Sequence, residues 1–197
     1  MRLFVAAELP TGLREKFRTV QEALRQGPLP VRWVRPEDIH LTLKFLGDAP
    51  EARVGEITGA LRPAGGGIVP FRLEACGAVP FPDRGAPRLV WVEVRGELEA
   101  ARRLAAAIDA VTASVGFPPE AREFRAHLTL GRVKGPGRGD WRTMLDRVAG
   151  QATGSFDVHE YVLFQSRLGH GGAVHTPVQR FPLGGDGGAG RRSGDDR

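Results

Sequence analysis

A single cysteine, Cys76, stands in the 197 residues, so no disulfide can close within the chain and no thiolate cluster can hold a metal. Its place in a stretch of alternating apolar residues reads as that of a small buried side chain. Long hydrophobic runs are also lacking, since none approaches the roughly 20 residues needed to cross a bilayer. The opening Met1-Arg2-Leu3-Phe4-Val5-Ala6-Ala7-Glu8 is too short and too early charged for a signal peptide. A cytoplasmic location without membrane contact is the expectation. There is neither a nucleotide-activating lysine motif nor a phosphate-cradling glycine loop, which argues against ATP-driven chemistry. With no long apolar repeat or exposed stripe, a monomer without an obligate protein partner is expected.

What is present is ordinary for a globular protein, 41% hydrophobic and 26% charged. The length suffices for one substantial core or two small lobes sharing a core. A net charge of +5 and a pI near 10.3 favour an anionic partner, nucleic acid first, with Arg-rich loops and a tail supplying part of the excess.

Alternation and helical spacing predict strands over 2–8, 31–34, 39–46, 69–79, 88–94, 126–133, 154–164 and 174–181. Helices are predicted over 10–25, where Leu13, Phe17, Val20 and Leu24 recur on one face, over 51–61, over the Ala-rich 97–115, and over 141–148. Short, partly hairpin-like strands mixed with helices fit a mostly antiparallel α+β arrangement better than a doubly wound parallel sheet. From Gly184 the chain has no apolar residue beyond Ala189. A single domain over 1–183 with a disordered tail over 184–197 follows.

The tetrapeptide His-Leu-Thr-Leu occurs twice, at His40-Leu41-Thr42-Leu43 and at His127-Leu128-Thr129-Leu130, 87 residues apart. A strand turns alternate side chains to opposite faces, so each His shares a face with its Thr while the leucines take the other. A lone His beside leucines is ordinary core. Two identical copies among only five histidines are not what packing would select. Each copy lies between helices, which suggests two related lobes facing one another.

Two imidazoles converging on one substrate suit paired general acid and base catalysis near neutral pH. Two hydroxyls beside them can donate to the non-bridging oxygens of a phosphate whose attacking and leaving oxygens lie on opposite sides. Zinc ligation by the two His lacks a third ligand at suitable spacing, and Thr is a poor zinc ligand.

The stretch Trp33-Val34-Arg35-Pro36-Glu37-Asp38-Ile39 running into His40-Leu41-Thr42-Leu43-Lys44-Phe45-Leu46-Gly47, with His127-Leu128-Thr129-Leu130-Gly131-Arg132, resembles the 2H phosphoesterase superfamily. Within it, the chain is most similar to the bacterial and archaeal RNA 2',3'-cyclic phosphodiesterases, also called 2'-5' RNA ligases. The likeness spans residues 2–183. It implies a bilobal α+β fold, two pseudo-symmetric lobes of mostly antiparallel sheet with outer helices and a central cleft. It also implies metal-independent, cofactor-free opening of RNA 2',3'-cyclic phosphate ends to 2'-phosphomonoesters. His40 would be the acid, His127 the base, and Thr42 and Thr129 the phosphate ligands.

By the same resemblance Phe45 and Arg132, each five residues after its His, clamp the terminal nucleobase. An odd offset demands that the strand twist, bulge or end before them. Trp33, Ser166 and Arg167 are further candidates for RNA contact. His175 departs from the family, where Tyr usually follows the Gly-rich turn. His159 and His170 match no motif and are expected on the surface. A reversible, ATP-independent 2'-5' ligase and a non-catalytic RNA-binding module remain alternatives.

Overall fold

The computed structural model describes residues 1–26, 30–135, 141–169 and 172–184. Strands β1 (Arg2–Glu8), β2 (Val31–Trp33), β3 (His40–Asp48), β4 (Phe71–Phe81), β5 (Leu89–Gly96), β6 (His127–Val133), β7 (Thr153–Val158), β8 (Glu160–Gly169) and β9 (Gly172–Pro182) form one antiparallel sheet. Its order is β7-β4-β5-β6-β3-β1-β8-β9, with β2 also on β6. The helices are α1 (Thr11–Arg25), α2 (Val54–Leu61), α3 (Leu98–Ala113) and the short α4 (Trp141–Asp146). The two motif strands, β3 and β6, stand at the centre, with β5, β4 and β7 beyond β6 and β1, β8 and β9 beyond β3. The expected α+β arrangement of two pseudo-symmetric halves is therefore present.

The sheet's alternation divides its faces. Leu41, Leu128, Val90, Val92 and Leu163 bury against Leu13, Phe17, Val20 and Leu24 of α1 and Leu104 and Ile108 of α3 in one continuous core. A smaller cluster, Phe4, Ala6, Val162 and Phe164, is buried on the opposite face, against His40. The chain's only tyrosine, Tyr161, donates to the Leu61 carbonyl at 2.5 Å and accepts from the Gly65 N–H at 3.1 Å, pinning the end of α2 to β8. Burial pushes that phenol up to about 12.

Two expectations are corrected. The run 154–164 is two strands, not one: after the single residue His159 the chain leaves the β4 edge of the sheet and joins β1 on the far side. No turn residue marks the break, because it is made by the curl of the sheet rather than by local chemistry. Cys76 is part-exposed, since the alternation that buries Phe71, Leu73 and Ala75 turns it to the other face. His159 is exposed as expected. His170 and residues 185–197 lie outside the described residues.

Candidate active site

Strands β3 and β6 pair through one residue couple, Leu41 with Leu128. Antiparallel register then sets His40 level with Thr129 and Thr42 level with His127, all four on the face opposite the leucines. The two imidazoles occupy diagonal positions of this square. All four side chains are part-exposed, while Leu41 and Leu128 are fully buried beneath them.

Both rings are held the same way. The Nδ1–H of His40 donates to the Asp38 carbonyl at 2.6 Å, and that of His127 donates to the Arg125 carbonyl at 2.8 Å. A neutral imidazole held through Nδ1 keeps the lone pair of Nε2 for a ligand. Each ring is also backed by two aromatics from the next strands outward. Phe164 stacks on Phe4 at 5.2 Å and Phe4 on His40 at 4.7 Å. Across the centre, Phe81 stacks on Trp91 at 3.8 Å and Trp91 lies 4.5 Å from His127. These four aromatics were not singled out from the sequence, because their apolar type does not say which face of a strand they occupy.

Both motif strands carry a β-bulge at the same place. Val5 pairs with Lys44 but Ala6 with Thr42, leaving Leu43 over. Val90 pairs with Gly131 but Trp91 with Thr129, leaving Leu130 over. The extra residue advances the alternation by one, so Phe45 and Arg132 return to the face of the His and Thr residues. Phe45 is 59% exposed, 6.1 Å from the Phe4 ring. The register sets Phe45 beyond Thr42 and Arg132 beyond Thr129, at opposite ends of the square.

Each bulge is buttressed by the helix of the other half. Gln21 of α1, itself buried, donates to the carbonyls of Leu130 at 2.9 Å and Val34 at 2.8 Å. Lys44, 2% exposed, pairs with Asp109 of α3 and donates to the Pro118 carbonyl at 3.0 Å. Burial alone would raise the Asp109 carboxyl, but its bonds from Lys44 and from the Glu120 N–H outweigh this and hold it below the usual range.

Other expected site residues separate. Ser166 shares the face of Phe4 and Phe164 and stands level with His175. Arg167, next along, falls on the opposite face and away from the site. Trp33 pairs with Gly131, and the ring packs on the core side. It holds β2 down rather than offering a free stacking surface. His175 lies edge-on to His40 at 5.3 Å and to Phe4 at 4.8 Å. Its buried Nδ1 has no hydrogen-bond partner among the described residues.

The electrostatics differ between the two imidazoles. Burial first, then the facing His175, push His40 down to about 4, against upward pulls from the Asp38 carbonyl and carboxylate. Burial also lowers His127, with Arg125 and Arg132 adding to the effect against the Arg125 carbonyl. His175 is lowered by its own burial. Among the described residues no group of three or more His, Cys, Asp or Glu side chains is placed to hold a metal ion, and no helix is long and apolar enough to cross a membrane.

The family model described as LigT like Phosphoesterase matches this chain twice, over residues 8–91 and 92–175, one match for each half. The RNA 2',3'-cyclic phosphodiesterase of Methanothermobacter thermautotrophicus is 34% identical over 93% of this chain and 99% of its own length. That of Archaeoglobus fulgidus is 33% identical over 92% and 99%. Among solved structures, a Thermus thermophilus protein superposes with a TM-score of 0.78 at 27% identity, covering 94% of this chain and all of the other. E. coli LigT in complex with 3'-AMP gives 0.68 at 28% identity over 92% of this chain and 97% of its own. With the doubled motif, the mirrored halves and these relatives together, the chain belongs to the LigT-like phosphoesterases of the 2H superfamily.

Proposed function

We propose that this protein hydrolyses the 2',3'-cyclic phosphate at RNA ends to a 2'-phosphomonoester, without metal or cofactor, by paired imidazole catalysis. The reading is carried by one observation: two His-Leu-Thr-Leu strands meet in register, with both Nδ1 atoms engaged by backbone carbonyls and both Nε2 atoms left to a substrate. Relatives named RNA 2',3'-cyclic phosphodiesterase support it at the level of the family.

In the proposed step the Nε2 lone pair of His127 takes a proton from water as its oxygen attacks phosphorus. The bond from phosphorus to the 3' oxygen breaks, and protonated His40 delivers its Nε2 proton to that oxygen. The Thr42 and Thr129 hydroxyls donate to the non-bridging oxygens, where negative charge grows. The order of acid and base follows the family resemblance, since in the free protein both rings are held neutral: burial and the facing His175 outweigh the pull of Asp38 on His40, and burial with Arg125 and Arg132 lowers His127. A bound phosphoryl anion raises both rings, which recharges His40 from its low value in the free protein. Phe45 and Arg132 contact the terminal nucleotide from the two ends of the site.

The test is an RNA oligonucleotide ending in a 2',3'-cyclic phosphate, incubated with EDTA and no ATP beside a 3',5'-cyclic nucleotide. A 2'-phosphate end from the first substrate alone is expected. Replacing His40 or His127 by Ala should lower turnover by a factor of about 10²–10⁴ while leaving most RNA binding. Absence of a 2'-phosphate end, or undiminished turnover by either variant, refutes the reading.

A further inference from the structure

The two halves are alike in backbone and unlike in charge. Around the first motif, arginines are neutralised: Arg14 and Arg180 by Glu8, Arg180 also by Glu160, Arg18 by Glu15 and Glu37, and Arg35 by Asp38 at 2.6 Å. Around the second, Arg102 is paired with Glu99 and Glu123, but a group of six cations is not. Arg32, Arg84, Arg88, Arg125, Arg132 and Lys134 are all exposed, and none has a carboxylate partner among the described residues.

Two of these cations are forced together. Arg32 of β2 and Arg132 of β6 are direct partners across an antiparallel ladder, a placement in which like charges repel. Gly131 permits this close approach of β2, since a Cβ there would lie 2.4 Å from the Val31 side chain and 3.0 Å from the Trp33 ring. Two exposed guanidinium groups side by side, without a carboxylate partner among the described residues, are placed to share an anion. On the other side of Arg132 lies Leu89, and beyond it Phe81. Phe81 opens a cavity of about 620 Å³, lined also by Arg84, Arg88, Pro82 and Val133. The Arg125 guanidinium caps the adjoining aromatics, 4.9 Å from the Trp91 ring and 5.6 Å from Phe81.

We propose that this face of the second half is the track for the single-stranded RNA that precedes the reacting nucleotide. It rests on the proposed function, in which the cyclic phosphate marks the 3' end and the rest of the strand must leave the cleft on its 5' side. Arg132 stands three residues past Thr129, about 10 Å along the strand, so the track begins where the site ends. Backbone phosphates lie against Arg32, Arg132, Arg84 and Arg88, and an unpaired base stacks on Phe81 in the cavity. Guanidinium contacts to phosphates with an interleaved aromatic surface are how single strands are held without a sequence requirement. On the first motif's side Arg14, Arg18, Arg35 and Arg180 are held in ion pairs, and the face is closed by Phe4, Ala6, Val162 and Phe164.

The experiment compares the unaltered protein with the Arg32→Gln/Arg84→Gln/Arg88→Gln variant on two substrates, a 2',3'-cyclic mononucleotide and a single strand of about ten nucleotides with the same end. Oligonucleotide binding is read separately by fluorescence anisotropy at several salt concentrations. The variant should bind the oligonucleotide and turn it over at least about tenfold less well at low salt, with a salt slope shallower by about one for each phosphate it no longer neutralises. Mononucleotide turnover should stay within about twofold, because that ligand is too short to reach these residues. If the triple variant does not fold, Arg84→Gln/Arg88→Gln, outside the strands, takes its place. Undiminished oligonucleotide affinity, or an equal loss on both substrates, overturns the proposal. Turnover of neither substrate by the unaltered protein would refute the phosphodiesterase reading, and anisotropy would still decide the track.

Discussion

Replacing His40 by Gln should make the protein less sensitive to acid. The His40 ring is enclosed by Phe4 at 4.7 Å and His175 at 5.3 Å, and in the folded state it takes a proton only near pH 4, against 6.5 for an ordinary imidazole. An unfolded chain regains the ordinary value. Between those two points the unfolded state binds a proton that the folded state refuses, so stability falls as pH falls. The contribution is fully present above pH 6.5 and has been lost by about pH 4. Moving an imidazole from 6.5 to about 4 corresponds to about 3 kcal/mol, a large part of the 5–15 kcal/mol typical of a domain. Gln can still donate to the Asp38 carbonyl but does not titrate. Its fixed packing cost is the same at both pH values and cancels. Urea unfolding of both proteins at pH 7 and near pH 4 measures the difference. The unaltered protein should lose about 3 kcal/mol more than the variant over that interval. Equal losses would show that the ring titrates normally, and the account of its burial would be wrong.

Because both motif imidazoles are lowered in the free protein, kcat/KM should trace a bell centred below pH 6.5, its two limbs belonging to the coupled pair. The kcat profile, which reports the substrate complex, should lie at higher pH because the bound anion favours imidazolium. A kcat/KM optimum above pH 7.5 contradicts this. Gly131→Ala should destabilise by about 1–3 kcal/mol in urea unfolding, because its Cβ meets Val31 at 2.4 Å. An unchanged midpoint would mean that β2 moves freely. Asp109→Ala leaves the Lys44 ammonium, 2% exposed, with the Pro118 carbonyl as its remaining partner. The loss should be about 3 kcal/mol, and Lys44→Met in the same chain should recover part of it. Additive losses in that double variant would show that the pair is not coupled.

Much of the site was legible because its signal is local. His40, Thr42, His127 and Thr129 share a face by strand alternation alone, and the odd offset of Phe45 and Arg132 already required a bulge. The bulges occur at Leu43 and Leu130, the last residue of each tetrapeptide. Their buttresses were not legible. Gln21 lies 109 residues from Leu130 and Lys44 65 from Asp109, and nothing in a window of neighbours links them. Arg167 parts from Ser166 for the converse reason: adjacent residues of a strand take opposite faces, so Arg167 lies on the other face of β8.

The amino-acid order alone determined which groups are available and how each strand presents them, because alternation follows from backbone chirality and needs no neighbour. It therefore established the doubled presentation of His and Thr on one face and the helical faces that bury the leucines on the other. Only the tertiary structure decided that Leu41 meets Leu128, that the sheet turns at His159, and that Arg14, Arg18, Arg35 and Arg180 meet carboxylates while Arg32, Arg84, Arg88 and Arg132 have none among the described residues. Register, desolvation and ion pairing depend on residues brought near from far along the chain. For that reason the protonation of His40, set by Phe4, His175 and burial, is a property of the fold and not of the motif that contains it.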